Sequence, residues 1–233
     1  MPLAIPFKIE TFDVLASTQD TLRERLERGE NVHGLVVRAL EQTGARGQRR
    51  RDWSAGPGGS YQTLAVRDPV PPVLNKPYAA VVVGIGLAQT LPEYGIQVGV
   101  KWPNDLYYCG KKVAGILCEY VQGHLLVGVG VNVNNPPPEG ATSLRGLDVE
   151  GVSGFVLAGV QRGLELLSEP HDLPGLFAPF DVLNGQEVEI AVAGKFKRGV
   201  ARGLDENGCL RLEAARGVTS VCQGEARGAL RRA

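Results

Sequence analysis

The stretch from Ile96 to Val133, IQVGVKWPNDLYYCGKKVAGILCEYVQGHLLVGVGVNV, carries the clearest fold signal in the chain. It holds three apolar, β-branched runs in close order: Ile96 to Trp102, Val113 to Val121 and Leu125 to Val133. Each run has the length of a strand. The breaks between them, Pro103-Asn104-Asp105 and Gly110-Lys111-Lys112, are turn residues that suit hairpin-like connections. Strands joined this tightly predict an antiparallel or mixed sheet.

Upstream, Ser17 reads as the N-cap of a helix, with Asp20 at the capping-box position. Leu15, Leu22 and Leu26 keep to one face, and Gly29 ends the helix. Leu35 to Leu40 reads as a buried strand and Tyr61 to Val66 as another. Between them, Gly44 to Gly59 has no apolar periodicity and reads as a loop. A second helix is expected from about Lys76 to Leu91, with Pro77 in its first turn. Downstream, the proline-rich Asn134 to Glu139 ends the β run, and a third helix is expected from Ser153 to Ser168. After Pro179 the texture changes to short β-like runs (Glu187 to Val192, Lys195 to Arg202, Cys209 to Leu212, Val218 to Val221) separated by Gly, Asp and Asn turns. These predict a small barrel-like β module. The expected organisation is an α/β domain over residues 1–180, with a mainly antiparallel or mixed sheet, and an all-β domain over 181–233.

Of 233 residues, 43% are hydrophobic and 21% charged, within the range of soluble globular proteins. No apolar run approaches the ~18 residues that a membrane-spanning helix needs, and the N-terminus has no signal-peptide pattern, so a cytoplasmic protein is expected. Lys and Arg total 25 and Asp and Glu total 25. The resulting zero net charge argues against a broad nucleic-acid-binding face. Basic residues are nevertheless concentrated: Arg46, Arg49, Arg50 and Arg51 fall within six positions. Such a cluster suggests a small anionic ligand such as a phosphate. The four cysteines form no C-x-x-C pair and no His stands at ligand spacing, so no metal site is expected. Free thiols in a reducing cytoplasm are the simplest reading.

Three segments offer chemistry. Gln42 to Trp53 puts guanidinium forks, which suit carboxylate or phosphate oxygens, on a glycine-containing loop, with a flat indole at its end. An arginine cluster alone is more often a solvated loop. Next, Lys101-Trp102-Pro103-Asn104-Asp105 leads into Lys112-Val113-Ala114-Gly115-Ile116-Leu117. Here an ammonium lies beside a sheet in which Gly115 leaves room for a ligand. In the third, Gly128-Val129-Gly130-Val131-Asn132, alternating glycines vacate one sheet face. A dinucleotide fingerprint is excluded, because the third glycine and the strand-to-helix context are missing.

Taken together and in this order, these segments resemble the biotin–protein ligase family. The resemblance rests on Ser17-Thr18, Arg46 to Trp53, Lys101 to Asp105, Lys112 to Leu117 and Gly128 to Asn132, and runs from about residue 12 to the C-terminus. It implies a catalytic domain like that of class II aminoacyl-tRNA synthetases, followed by a small SH3-like β-barrel. It also implies ATP-dependent activation of biotin as biotinyl-5'-AMP and transfer to a lysine of a biotin carboxyl carrier protein. On that resemblance Ser17, Thr18, Gln19 and Gln42 bind biotin, together with Arg46, Gly47, Gln48, Lys112 and Gly115. Arg46, Arg49, Arg51, Trp53, Asn104, Lys112 and Asn132 bind ATP, with Trp53 on adenine and Asn132 at its edge. Lys112, Arg46 and Asp105 are the catalytic set, Asp105 either taking the proton of the acceptor amine or capping its turn. Magnesium rides on phosphate oxygens.

The chain departs from the family loop at Ala45, Gln48 and Arg50. Gln48 replaces an arginine that helps retain the acyl-adenylate, so weaker retention is expected. Only about sixteen residues precede Ser17, too few for a helix-turn-helix domain, so a monofunctional enzyme without nucleic-acid binding is expected. An exposed sheet edge could pair two copies. The competing readings are a lipoate–protein ligase and a non-catalytic biotin-binding protein. The first lacks support, because that family's Arg-Arg-x-Ser-Gly-Gly-Gly loop is absent. The second is disfavoured by the retention of Lys112, Arg46 and Asn132.

Overall fold

A computed structural model describes residues 5–67, 78–168, 172–192 and 194–227. Its first sheet contains β1 (Lys8–Leu15), β2 (Leu35–Gln42), β3 (Ser60–Arg67), β4 (Gly99–Lys101), β5 (Asp105–Tyr108), β6 (Lys111–Val121) and β7 (His124–Val131). Their order in space is β1-β2-β3-β7-β6-β5-β4. β1 and β2 are parallel and every other neighbouring pair is antiparallel, which is the mixed sheet expected from residues 96–133. In the β6–β7 hairpin Gly115 stands opposite Gly130 and Leu117 opposite Gly128.

Because side chains alternate along a strand, the sheet has two distinct faces. Val127, Val129 and Val131 of β7 share one face with Leu64 and Val66 of β3. That face is covered by α2 (Ala79–Thr90) and α3 (Val149–Ser168), and together they form the main core. Leu126 and Ala65 belong to the other face, where Leu22 and Leu26 of α1 (Thr18–Glu27) complete a smaller core. Beyond α1, that same face carries Gly128, Gly130 and Gly115. With no side chains of its own there, the sheet leaves that layer to side chains from outside it, Gln19 at Gly128 and Trp53 at Gly115 and Gly130.

Local chemistry explains the helices. Ser17 caps α1 by accepting from the backbone N–H of Asp20 at 3.2 Å, and Gly29, at φ +75°, stops it in the left-handed region. α2 is apolar on every side and buried along nearly its whole length. It meets α3 backbone to backbone: a Cβ at Gly163 would lie 2.6 Å from Val83 Cα, and one at Gly159 would lie 2.8 Å from Leu87 Cα. Lys76 and Pro77, read as the first turn of α2, lie outside the described residues, as does the side chain of Arg50. β1 and β5 were not expected. The expected strand from Ile96 narrows to the three residues of β4, with Ile96 and Val98 packing into the core ahead of it.

The short helix α4 (Leu173–Phe177) leads to a second sheet of β8 (Glu187–Val192), β9 (Lys195–Leu204), β10 (Leu210–Ala214), β11 (Gly217–Val221) and β12 (Ala226–Arg227). This sheet corrects the expected SH3-like barrel. Its order is β11-β10-β9-β8-β12, with β11 and β12 at opposite edges and no ladder between them among the described residues. A barrel needs its two edges hydrogen-bonded to each other. Here β12 is two residues long and pairs with β8, so among the described residues the sheet is open.

The cysteine reading is corrected as well. Leu210 pairs with Val221, which sets the flanking positions opposite each other, and Cys209 and Cys222 form a disulfide there. That proximity comes from strand pairing, which residue spacing does not reveal. Cys109 and Cys118 are free. The two sheets meet where Trp102, 2% exposed, donates its indole N–H to the Gly208 carbonyl at 3.1 Å. Among the described residues no helix is long and apolar enough to cross a membrane.

Candidate active site

One cleft lies on the α1 face of the first sheet, between the N-terminus of α1, the loop after β2, the β4–β5 turn and the segment Gly224–Glu225. Except for Asn132, every site residue proposed from the sequence lines it.

The end at α1 is neutral and hydrogen-bonding. Ser17, Thr18 and Gln19 are buried there because Gly128 lets the helix start approach the sheet; a Cβ at that position would lie 2.7 Å from Gln19 Oε1. The backbone N–H of Thr18 donates to Gln42 Oε1 at 2.8 Å, and the hydroxyls of Thr18 and Thr63 are 2.8 Å apart. These groups suit a ligand with amide-like donors and acceptors.

The loop forms the opposite, cationic wall. Arg46 and Asp52 form a bridge across it, and Gly47 N donates to Arg51 O at 2.8 Å. Arg49 turns the chain at φ +60°, a left-handed conformation that costs a non-glycine residue on the order of 1 kcal/mol. Two carboxylates hold the loop. Arg46 pairs with Asp20 of α1, and Arg51 lies 2.6 Å from Glu225 Oε2 in the C-terminal segment. The Arg51 hydrogen bond holds the Glu225 carboxyl below its usual range even though burial pushes the other way.

Trp53 fills the space that the sheet glycines leave. A Cβ at Gly115 or Gly130 would come within 2.9 Å of its indole. The glycines therefore seat a ring of the protein itself, where the sequence reading had them leave room directly for a ligand. Lys112 Nζ stands 5.1 Å from that ring's centroid, within cation–π range, and 2.6 Å from Asp105 Oδ1. Asn104 clamps the turn onto β6, donating from Nδ2 to Ile116 O at 3.0 Å and accepting from Ile116 N at 2.9 Å.

Asn132 is apart from this group. It is 1% exposed, its Nδ2 donates to Thr142 O at 3.2 Å, and its Oδ1 accepts from Asn135 at 2.9 Å. Glu225, Lys101, Thr63 and Glu119 were not proposed from the sequence. The first three line the cleft, and Glu119 hydrogen-bonds a residue that does. Glu225, Thr63 and Glu119 are single polar residues outside every motif; Lys101 opens the Lys-Trp-Pro-Asn-Asp turn, which was singled out without giving that lysine a role. The cleft thus combines a neutral polar end, an indole platform and a cationic wall, and suits a ligand pair that is polar, anionic and flat in turn.

A model of the biotin/lipoate A/B protein ligase family matches residues 11–134. The biotin–[acetyl-CoA-carboxylase] ligase of Mycobacterium tuberculosis H37Rv is 30% identical over 91% of this chain and 87% of its own. That of Paracoccus denitrificans is 30% identical over 88% and 95%, respectively. The structure of biotin protein ligase from Aquifex aeolicus in complex with biotin and ATP aligns with a TM-score of 0.83 at 28% identity, covering 95% of this chain and 99% of that one. The chain belongs to the biotin/lipoate A/B protein ligase family, as one of its biotin–protein ligases.

Proposed function

We propose that the chain activates biotin with ATP as biotinyl-5'-AMP, releasing pyrophosphate, and then transfers the biotinyl group to a lysine of a biotin carboxyl carrier domain. It is a biotin–[acetyl-CoA-carboxylase] ligase-type enzyme. The observation that carries the reading is the Lys112–Asp105 pair, 2.6 Å apart beside the Trp53 indole, between the neutral pocket of Thr18 and Gln42 and the arginine loop. Activation needs a carboxylate and an α-phosphate to meet at one cation, and the two chemical environments of the cleft meet at Lys112.

In this reading the ureido ring of biotin binds at Ser17, Thr18, Gln19 and Gln42, and its chain runs past Gly115 toward Lys112. Arg46 exchanges Asp20 for the incoming carboxylate or phosphate, and Gly47 and Gln48 border the chain. Arg49, Arg51 and Asn104 face the phosphates, with adenine on the open side of Trp53. An adenine-edge role for Asn132 would need its buried amide, 1% exposed, to be uncovered, using the donor and lone pair that Thr142 and Asn135 leave over. A carboxylate oxygen attacks the α-phosphorus, and the bond to pyrophosphate breaks. Lys112 and Arg46 offset the charge that builds up on the phosphoryl oxygens. In the second step the acceptor amine attacks the acyl carbon, AMP leaves, and Asp105 takes the amine proton. Magnesium belongs to the phosphate oxygens of the nucleotide. Residues 1–180 then form the catalytic domain and 181–233 a C-terminal domain that reaches the loop through Glu225. An ATP-consuming reaction on a carboxylase subunit supports a cytoplasmic enzyme.

The test is pyrophosphate release from ATP with biotin, with lipoate as the control substrate. Release with biotin alone is expected; release only with lipoate, or with neither, overturns the reading. Asp105→Asn should slow transfer from preformed biotinyl-AMP by at least about 100-fold. Unchanged transfer would remove the base role.

A further inference from the structure

Glu119 lies on β6 on the same face as Gly115, and none of the roles above uses it. Its Oε2 accepts from Gln19 Nε2 at 2.9 Å and from Arg23 at 2.6 Å. A carboxylate can only accept, so Gln19 must turn its amide nitrogen to Glu119 and its carbonyl oxygen toward Thr63. That oxygen also only accepts, and Thr63 Oγ1 donates to it at 3.2 Å. A hydroxyl has one proton. With its proton on Gln19, Thr63 must accept from Thr18 Oγ1, 2.8 Å away.

The proton of Thr18 is therefore committed inside the protein. Its other acceptor, Gln42 Oε1 at 3.2 Å, leads to the same result. Toward a ligand, Thr18 can then only accept. Gln42 Oε1 is in turn held by the Thr18 backbone N–H, which leaves Gln42 Nε2 to donate. Thr18, Gln19 and Thr63 are all buried, so no bulk water is on hand to compensate a reversed hydroxyl.

We infer that Glu119 is a positioning residue for recognition of the ureido group. It sets the direction of the Gln19–Thr63–Thr18 chain, so that the pocket accepts a ring N–H at Thr18 and donates to the adjoining carbonyl from Gln42. A five-membered ring with an N–H beside its C=O matches that wall. A ring with an acceptor in place of the N–H meets a second acceptor. The inference rests on the biotin reading above.

The test is steady-state adenylation by the full chain, with biotin as the varied substrate. Glu119→Met keeps much of the bulk but removes the acceptor that Gln19 and Arg23 share, so the chain loses its fixed direction. KM for biotin should rise about five- to ten-fold, the size of one neutral hydrogen bond, with kcat within about two-fold of wild type. Thr63→Val breaks the chain and should raise KM by a similar factor, and adding Glu119→Met to it should change KM no further. Thr63→Val carries the same prediction by itself if Glu119→Met does not fold. An unchanged KM in either variant overturns the inference, as do multiplicative effects in the double variant or a fall in kcat that tracks a lower melting temperature. Absence of biotin-dependent pyrophosphate release in the wild-type protein would remove the functional reading itself; normal release with an indifferent Glu119→Met would remove only this inference.

Discussion

Gly163 and Gly154 lie in the same helix, α3, and the same substitution should move stability in opposite directions. A methyl group at Gly163 would sit 2.6 Å from Val83 Cα and 3.2 Å from Val82 O. Ordinary carbon contacts are ~3.5–4 Å, so α2 and α3 would have to part by roughly 1 Å. Both obstructing atoms belong to the backbone, and no rotamer change can relieve them. Overpacking of this kind costs about 1–3 kcal/mol, against a helix-propensity gain of about 0.8–1 kcal/mol for replacing glycine. The clash wins, and Gly163→Ala should lose on the order of 1 kcal/mol. Gly154 is exposed and has nothing within 4 Å of the new methyl, so only the propensity gain operates. Gly154→Ala should gain about 0.4–1 kcal/mol. For a chain of this size the two melting temperatures should differ by roughly 4–8 °C, on opposite sides of the wild type. Thermal denaturation followed by circular dichroism measures this directly. If both variants shift in the same direction, the backbone contact between α2 and α3 is not limiting.

Gln48 borders the cleft without the charge that an arginine would bring. Gln48→Arg should slow biotinyl-AMP dissociation about ten-fold in a chase experiment, and an unchanged rate would remove Gln48 from the retention argument. Burial pushes Asp181 up to about 6, against backbone hydrogen bonds from Leu183 and Asn184 that pull it down. The folded state therefore keeps a proton that the unfolded chain loses above its ordinary value, so stability falls as pH rises from ~4 to ~6 and stays lower above that. Asp181→Asn retains an acceptor for the Leu183 N–H and should add on the order of 2 kcal/mol at neutral pH and almost nothing near pH 4. Equal gains at both pH values would refute the cause.

What the sequence revealed follows from the range over which each signal acts. The α1 cap and its Leu22–Leu26 face are local, and so is the β6–β7 alternation that exposes Gly115, Gly128 and Gly130 on one side. All of these were readable. β1 was not, because as an edge strand it leaves Ile9 45% and Val14 54% exposed, so its apolar residues do not mark a buried face. Barrel closure was expected because short strands and turns recur at even spacing, but whether two edges meet depends on residues far apart in sequence. Cys209 and Cys222 are only 13 positions apart, but their pairing depends on the β10–β11 register, which their spacing alone does not give. Asn132 has the look of a ligand contact in its motif, and the structure shows it 1% exposed with bonds to Asn135 and Thr142, a burial that the motif does not signal. Glu119 and Glu225 gave no signal, because their importance lies in their partners, Gln19 and Arg51, 100 and 174 positions away.

The chain has two tryptophans, in opposite surroundings. Both border the cleft, but Trp53 is the partly exposed platform, whereas Trp102 is 2% exposed with its indole N–H on the Gly208 carbonyl. Ultraviolet emission from this protein therefore has two separable sources. A ring stacking on Trp53 would quench one of them, while lifting the C-terminal sheet would wet Trp102 and shift the other to longer wavelength. Replacing Trp53 with Phe leaves a chromophore dominated by the seating of the two sheets, and replacing Trp102 leaves one dominated by the occupant of the site. Ligand binding and sheet movement can thus be timed separately in one protein without an added label.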